Sequence, residues 1–253
     1  MASEKKIAVA GATGRLGRPT VEILRERGHE VVPVSRSEGV DVISGEGLAA
    51  ALEGVELIID AATGPSPDQT QATEFFTTAA HNLQQTGAEQ GVGEIIVVSI
   101  IGTDHFNTGY NAAKVAQEQA HLAGPVPARI LRAAQFHEFV AELLEWGTQG
   151  DVAYLPEMRT QLVAARSVAE ALAGLVDGAD SAPIGNPVAE VAGPREENLL
   201  EAARLLVAKR GDSLRVEAGE FFEDPEGLYP AGAILPGPVA KLAGPTYEEW
   251  LNQ

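Results

Sequence analysis

The chain has 253 residues, 45% hydrophobic and 21% charged, the balance of a soluble globular α/β protein long enough to bury a large core. Eighteen basic residues face 36 acidic ones, and the net charge of −18 would repel a phosphate backbone, so no nucleic-acid partner is expected and the acidic excess reads as a solubilising surface. The absence of cysteine rules out disulfides, thiolate catalysis and cysteine-bound zinc; the longest apolar run, 95–101, is too short to cross a bilayer, so no membrane partner is expected either.

In chain order, the first predicted strand, 7–10, is wholly apolar and runs into Gly11-Ala12-Thr13-Gly14-Arg15-Leu16-Gly17; a helix over 15–27 follows and stops at Gly28. Glycines spaced three apart between a strand and a helix suit a dinucleotide pyrophosphate, which backbone N–H groups at a helix N-terminus can hold only if no side chain blocks its approach. Gly11 takes the tight turn, Gly14 lets the backbone near the phosphates, and Gly17 lets the helix pack on the strand. Thr13, Arg15 and Leu16 complete the candidate cofactor contacts of this loop, Arg15 as a phosphate contact.

The second strand, 29–35, ends where an adenosine ribose would lie. Ser35-Arg36-Ser37 stands there in place of an acid, and a guanidinium flanked by two hydroxyls suits the 2′-phosphate of NADP(H) rather than the free hydroxyl of NAD. Next come a short helix over 47–53 and a strand over 55–60, whose successors Ala61, Ala62 and Thr63 have side chains small enough to line a cofactor groove. After the Gly64-Pro65-Ser66-Pro67 loop, a helix over 70–90, a strand over 94–99, a helix over 111–122 and a strand over 128–132 continue the alternation. Apolar strands alternating with helices predict a doubly wound parallel sheet of Rossmann type. Past about residue 150 the rhythm weakens: 161–176 and 195–210 read as helices and 217–238 as irregular. The expected organisation is a cofactor-binding core over 5–150 and a small C-terminal substrate lobe over 151–253, packed as one unit with it, without internal repeats or a long linker.

Tyr110 and Lys114 lie one helical turn apart and project from one face, an arrangement suited to protonating a carbonyl oxygen, with the lysine charge expected to lower the tyrosine pKa and the ammonium able to hold a nicotinamide ribose. Ser99, ending the preceding strand, could polarise the same oxygen. With these motifs in place, the chain resembles the NmrA-like NAD(P)H-binding group of the atypical short-chain dehydrogenase/reductases. The resemblance lies in the glycine loop, in Ser99-Ile100-Ile101-Gly102, in Tyr110 to Lys114, and in Ala128 to Phe136, a strand leading to the substrate pocket. It implies a nicotinamide cofactor and a Ser-Tyr-Lys set at positions 99, 110 and 114. Many members of that group lack the tyrosine and act as cofactor-sensing regulators; Tyr110 is present here.

Asp41 fits either a place beside the adenine, as in related proteins, or a surface turn; Asn82 is similar to a helix asparagine of the family or faces solvent; Ser167 reads as a helix cap. Histidines 29, 81, 105, 121 and 137 lack metal-ligand spacing, His137 reads as a partly buried ring, and the aromatics of the tail 244–251 are expected to dock on the body. The expected function is NADPH-dependent reduction of a small carbonyl or conjugated acceptor in the cytoplasm, with a small-molecule substrate and room for a homodimer. A non-enzymatic NADP(H) sensor acting through a partner protein, and an epimerase or dehydratase that recycles bound cofactor, are the alternatives.

Overall fold

The computed structural model describes residues 3–178, 187–219, 224 and 226–253; of the segment 217–238 expected to be irregular, 220–223 and 225 lie outside the described residues. The first half alternates as follows: β1 (Lys6–Ala10), α1 (Gly17–Glu26), β2 (Glu30–Val34), α2 (Leu48–Ala51), β3 (Leu57–Asp60), α3 (Gln69–Gln90), β4 (Glu94–Ile100), α4 (Gly109–Leu122) and β5 (Ala128–Ala133). Then come α5 (Phe139–Gly147), β6 (Thr148–Gln149), β7 (Val152–Leu155), β8 (Arg159–Thr160), α6 (Ala165–Val176) and β9 (Val188–Ala192). The last elements are β10 (Glu197–Asn198), α7 (Leu199–Arg210), β11 (Arg215–Ala218), α8 (Leu228–Ala231), β12 (Lys241–Leu242) and α9 (Tyr247–Leu251).

Seven strands form one sheet in the order β12-β9-β5-β4-β3-β1-β2. β1 pairs in parallel with β2 on one side and β3 on the other, β3 with β4, and β12 with β9. The expected doubly wound sheet is therefore present, and its strand order reverses between β1 and β3, the place where open α/β sheets take ligands. Its strands read as continuous apolar runs because both faces are covered: Ile7, Ile58, Ile59, Ile95 and Ile96 are all fully buried.

The chain divides into two compact units, Met1–Ser99 with Asn107–Arg132 and Ala169–Ala189, and Ile100–Phe106 with Ala133–Val168 and Glu190–Gln253. The expected 5–150 and 151–253 segments do not coincide with these units, because 133–150 groups with the second while 169–189 returns to the first. The return is fastened near the end of α6, where the Val176 carbonyl accepts from Lys5 Nζ (2.6 Å) and Asp177 accepts from Arg27 (2.7 Å) and His29 (3.1 Å).

Within the first unit the core runs through Ala8, Val34, Leu48, Leu52, Ile58, Leu83, Ile95 and Ile130. Gln84, 3% exposed on α3, replaces the backbone partners missing at the end of α4. Its amide donates to the carbonyls of His121 (2.9 Å) and Val126 (3.2 Å) and accepts from Val126 N–H (2.8 Å).

The second unit packs Phe106, Val140, Leu144, Leu155, Leu162, Ile234 and Tyr247 around a three-stranded β11-β7-β6 sheet and the β10–β8 pair. The helix expected over 161–176 begins at 165, and the one expected over 195–210 begins at Leu199. Asn198 caps the latter by accepting from Leu200 and Glu201 N–H, while Glu197 pairs with Thr160. Ser167 lies inside α6 rather than at its cap. The tail docks as expected: a reciprocal Thr246–Glu249 cap starts α9, and Tyr247 and Trp250 stack against His137 at ring distances of 5.4 and 5.2 Å. His137 is 1% exposed, and burial pulls its pKa down to about 4.

Replacing Gln84 with leucine leaves the Val126 N–H and carbonyl without partners, while the His121 carbonyl keeps the Gly124 N–H (3.1 Å), so Gln84→Leu should lower unfolding free energy by about 2 kcal/mol or more, read from urea denaturation.

Candidate active site

The sequence-predicted cofactor residues all belong to the first unit, and the glycine loop meets Ala61 and Ala62 at the strand-order reversal. Gly11 leaves β1 with φ 75°, its N–H on the Val34 carbonyl of β2 (3.0 Å). A β-carbon there would lie 2.6 Å from the Ala61 carbonyl oxygen and 2.9 Å from Ala62 Cα, just past the end of β3. One at Gly14 would sit 3.1 Å from the Gly11 carbonyl oxygen, and one at Gly17 would overlap that same oxygen. Gly11 thus makes the tight turn and Gly17 the close helix packing that their spacing predicts. No side chain caps α1 and no acid occupies its first turn, so the helix N-terminus keeps its partial positive charge, although the Arg18 N–H is bonded to the Gly14 carbonyl (3.1 Å) and Pro19 has no N–H. Thr13, Gly14 and Arg15 are exposed, whereas Leu16 is buried beneath the loop.

At the end of β2 the chain enters a 3₁₀ turn over Arg36–Glu38 closed by Gly39. The hydroxyls of Ser35 and Ser37 lie 3.0 Å apart and Arg36 between them is exposed, so the expected 2′-phosphate group is on the surface. Asp41 stands in a turn, its carboxylate accepting from Ile43 N–H (2.8 Å). Asn82 on α3 does not simply face solvent. Its amide donates to the carbonyls of Val42 (2.9 Å) and Ile43 (2.8 Å) and clasps that turn to the helix.

On the other side of the sheet reversal, Ser99 lies near the end of β4, 2% exposed, and its hydroxyl has no hydrogen-bond partner among the described residues. α4 carries Tyr110 and Lys114, with Gln69 supplying the acceptor for the Gly109 N–H at its start (2.8 Å). Both side chains bracket Phe76 of α3: the Tyr110 ring meets it edge-on at 5.6 Å, and the Lys114 ammonium lies 4.5 Å from its centroid. Lys114 donates to the Val98 carbonyl (2.8 Å) and to Gln117 Oε1.

The expectation that Lys114 lowers the Tyr110 pKa is not met. Burial pushes Tyr110 up to about 12 and pulls Lys114 down to about 8, the latter opposed by the charges of Asp60 and Glu118. The ammonium is directed to Val98 and Gln117, and desolvation outweighs its influence on the phenol.

Sequence reading missed Asp60, Gln117 and His121, which form one buried hydrogen-bonded group joined to Lys114 through Gln117. Asp60, the last residue of β3, is fully buried and accepts from Ala62 N–H (3.1 Å), Gln117 Nε2 (2.8 Å) and His121 Nε2 (3.0 Å). Burial would raise its carboxyl, but His121, Ala62 N–H and Lys114 together hold it below the usual range. The available signals were an acid ending an otherwise apolar strand and the positions of Gln117 and His121, three and seven residues beyond Lys114 on one helical face.

Comparison with solved structures places this arrangement among known architectures. MoeE5 in complex with UDP-glucuronic acid and NAD superposes with a TM-score of 0.72 at 17% identity, over 98% of this chain and 96% of that one. The fold is the Rossmann fold. A dTDP-4-dehydrorhamnose reductase from Clostridium acetobutylicum, an RfbD ortholog, gives 0.73 at 16% identity over 98% of both chains. The enzyme WbmG of Bordetella bronchiseptica in complex with NAD gives 0.71 at 14%, over 99% and 92%. No protein-family model matches the chain. In sequence it is similar to L-arabinose 1-dehydrogenase (NAD(P)(+)) of Haloferax volcanii, 28% identical over 127 residues. That match takes in 47% of this chain and 48% of the dehydrogenase, so the chain spans about half the length of the curated relative it matches. At this level of identity the likenesses to solved structures show the fold and do not single out the NmrA-like group that the motifs resemble.

Because a β-carbon at Gly17 meets backbone rather than a movable side chain, Gly17→Ala should cost about 1–3 kcal/mol in urea unfolding and weaken dinucleotide binding in calorimetry.

Proposed function

We propose that this protein is an NADP(H)-dependent oxidoreductase that exchanges hydride with a small carbonyl or conjugated acceptor. The observation that carries this reading is the backbone cradle at Gly11, Gly14 and Gly17, where added β-carbons would meet backbone atoms, beside an uncapped helix N-terminus. The NAD(P)(+) relative and the NAD-bound neighbours support a nicotinamide cofactor; the preference for NADP(H) rests on Ser35, Arg36 and Ser37.

When bound, NADP(H) would supply the hydride, leaving the protein to bind, orient and move a proton. Gly11, Thr13, Gly14, Arg15, Leu16 and Gly17 would hold its pyrophosphate, Ala61, Ala62 and Thr63 would wall the groove, and Arg36 would pair with the 2′-phosphate. Tyr110, with its pKa near 12, stays protonated at neutral pH and can donate its phenolic proton to the acceptor oxygen. The unpartnered Ser99 hydroxyl suits a second hydrogen bond to that oxygen. Lys114 uses two ammonium protons on Val98 and Gln117 and has a third for the nicotinamide ribose. The sugar-directed relative makes an aldose and its lactone the first compounds to try. One observation favours the sensor reading instead: the Tyr110 phenol is not lowered toward neutral pH in the free protein.

Calorimetric titration should show Arg36→Ala weakening NADPH by about tenfold or more while leaving NADH nearly unchanged, the worth of a charged hydrogen bond. Equal losses for the two cofactors would remove Arg36 from the assignment. Tyr110→Phe should abolish turnover and retain NADPH affinity, and wild-type turnover should fall above pH about 8, as Lys114 loses the charge it carries at lower pH. A wild-type protein that binds NADPH yet turns over no carbonyl would favour the sensor.

A further inference from the structure

An ammonium without a counter-charge is costly to bury, and Lys114 is 5% exposed. Two carboxylates act on it, Asp60 and Glu118. Glu118 is already committed: both of its oxygens accept from the Arg132 guanidinium of β5, at 2.9 and 2.8 Å. Among the described residues Asp60 makes no such pair with an arginine or lysine; its Oδ2 meets His121 Nε2 (3.0 Å), which is charged only when protonated. Its Oδ2 accepts from Gln117, and the same Gln117 amide accepts from Lys114, so a continuous hydrogen-bonded line runs from carboxylate through amide to ammonium and on to the Val98 carbonyl of β4. The Phe76 ring from α3 packs against the ammonium, and from α4 itself Tyr110 meets that same ring while His121 bonds Asp60. The second oxygen of Asp60 takes the Ala62 N–H, in the segment that meets Gly11 across the candidate cofactor groove.

We propose that Asp60, acting through the Gln117 amide, is the counter-charge that keeps Lys114 protonated and in place, and that its second oxygen ties this lysine to the wall of the cofactor groove. Asp60 and Gln117 are positioning residues in this arrangement, and their catalytic consequence rests on the oxidoreductase reading given above. An amide that accepts from a cation at one end and donates to an anion at the other is polarised in one direction, so the carboxylate acts on the lysine without touching it. Asp60 therefore opposes the burial that drags the lysine toward neutrality, and removing it lets burial prevail.

The test reads the lysine directly. The chain has only five lysines, Lys5, Lys6, Lys114, Lys209 and Lys241, so the purified full-length protein labelled with ¹³C at lysine Cε gives few signals, and Lys114→Met assigns the one of interest. The wild-type Lys114 signal should titrate near pH 8. In Asp60→Asn the midpoint should fall by about one pH unit or more, the effect of losing a nearby opposite charge, and in Gln117→Met it should fall by less. A midpoint unmoved in both folded variants would overturn the proposal, as would a wild-type midpoint near that of the four other lysines. Should Asp60→Asn fail to fold, Gln117→Met carries the decision alone. With a turned-over substrate, the alkaline limb of kcat should shift with the NMR midpoint in each variant, a change that mere loosening of the fold would not produce. Absence of any wild-type turnover would sink the oxidoreductase reading and leave the lysine titration to judge the counter-charge on its own.

Discussion

The architecture of the first unit depends on how closely three stretches of backbone approach one another. The carbonyl of Gly11 faces Gly17 at a distance that excludes a methyl group, while Gly11 itself is pressed against Ala61 and Ala62. That contact fixes where α1 starts, and α1 starts without a capping side chain or a first-turn acid, so its partial positive charge is uncompensated at the point where strand order reverses. A surface with formal charge −18 needs such local positive potential if an anionic ligand is to be held. In the proposed reading the helix terminus and the exposed Arg15 and Arg36 would provide it without changing the global balance.

A second layer of organisation lies beneath the groove. Buried polar groups are tolerated when they satisfy one another, and the interior between β3, β4 and α4 does this with an imidazole, an acid, an amide and an ammonium in line, His121 Nδ1 alone of that line being without a partner among the described residues. Beside it, Glu118 and Arg132 form their own bidentate pair. Ser99 stands apart from both arrangements, its buried hydroxyl without a partner among the described residues.

Much of the first unit was legible in the sequence because its signals are local. Apolar runs such as 94–99 can be little else than buried strands, and the glycine spacing specified the turn at Gly11 and the packing at Gly17. Tyr110 and Lys114 followed from helical spacing alone. Their protonation behaviour did not, because the sequence shows that a charge is near but not how deeply both groups are desolvated. Asp60 was hidden for a related reason: its importance comes from partners 57 and 61 residues away. In the second unit the errors fell on segments 161–164 and 195–198, where two-residue pairings such as Thr160 with Glu197 and the bridge between Phe136 and Val163 are too short to leave a periodic pattern.

The clasp made by Asn82 bears on how this protein could be re-engineered or could have diverged. Because a single amide holds both carbonyls of the turn after Arg36, that turn is not an independent module: its geometry is encoded forty residues away on α3. A loop transplanted from a relative to alter nucleotide preference would arrive without its anchor unless the matching helix residue travelled with it. The proposed cofactor-recognition segment and the long helix that anchors it therefore form one heritable unit, although the sequence keeps them well apart.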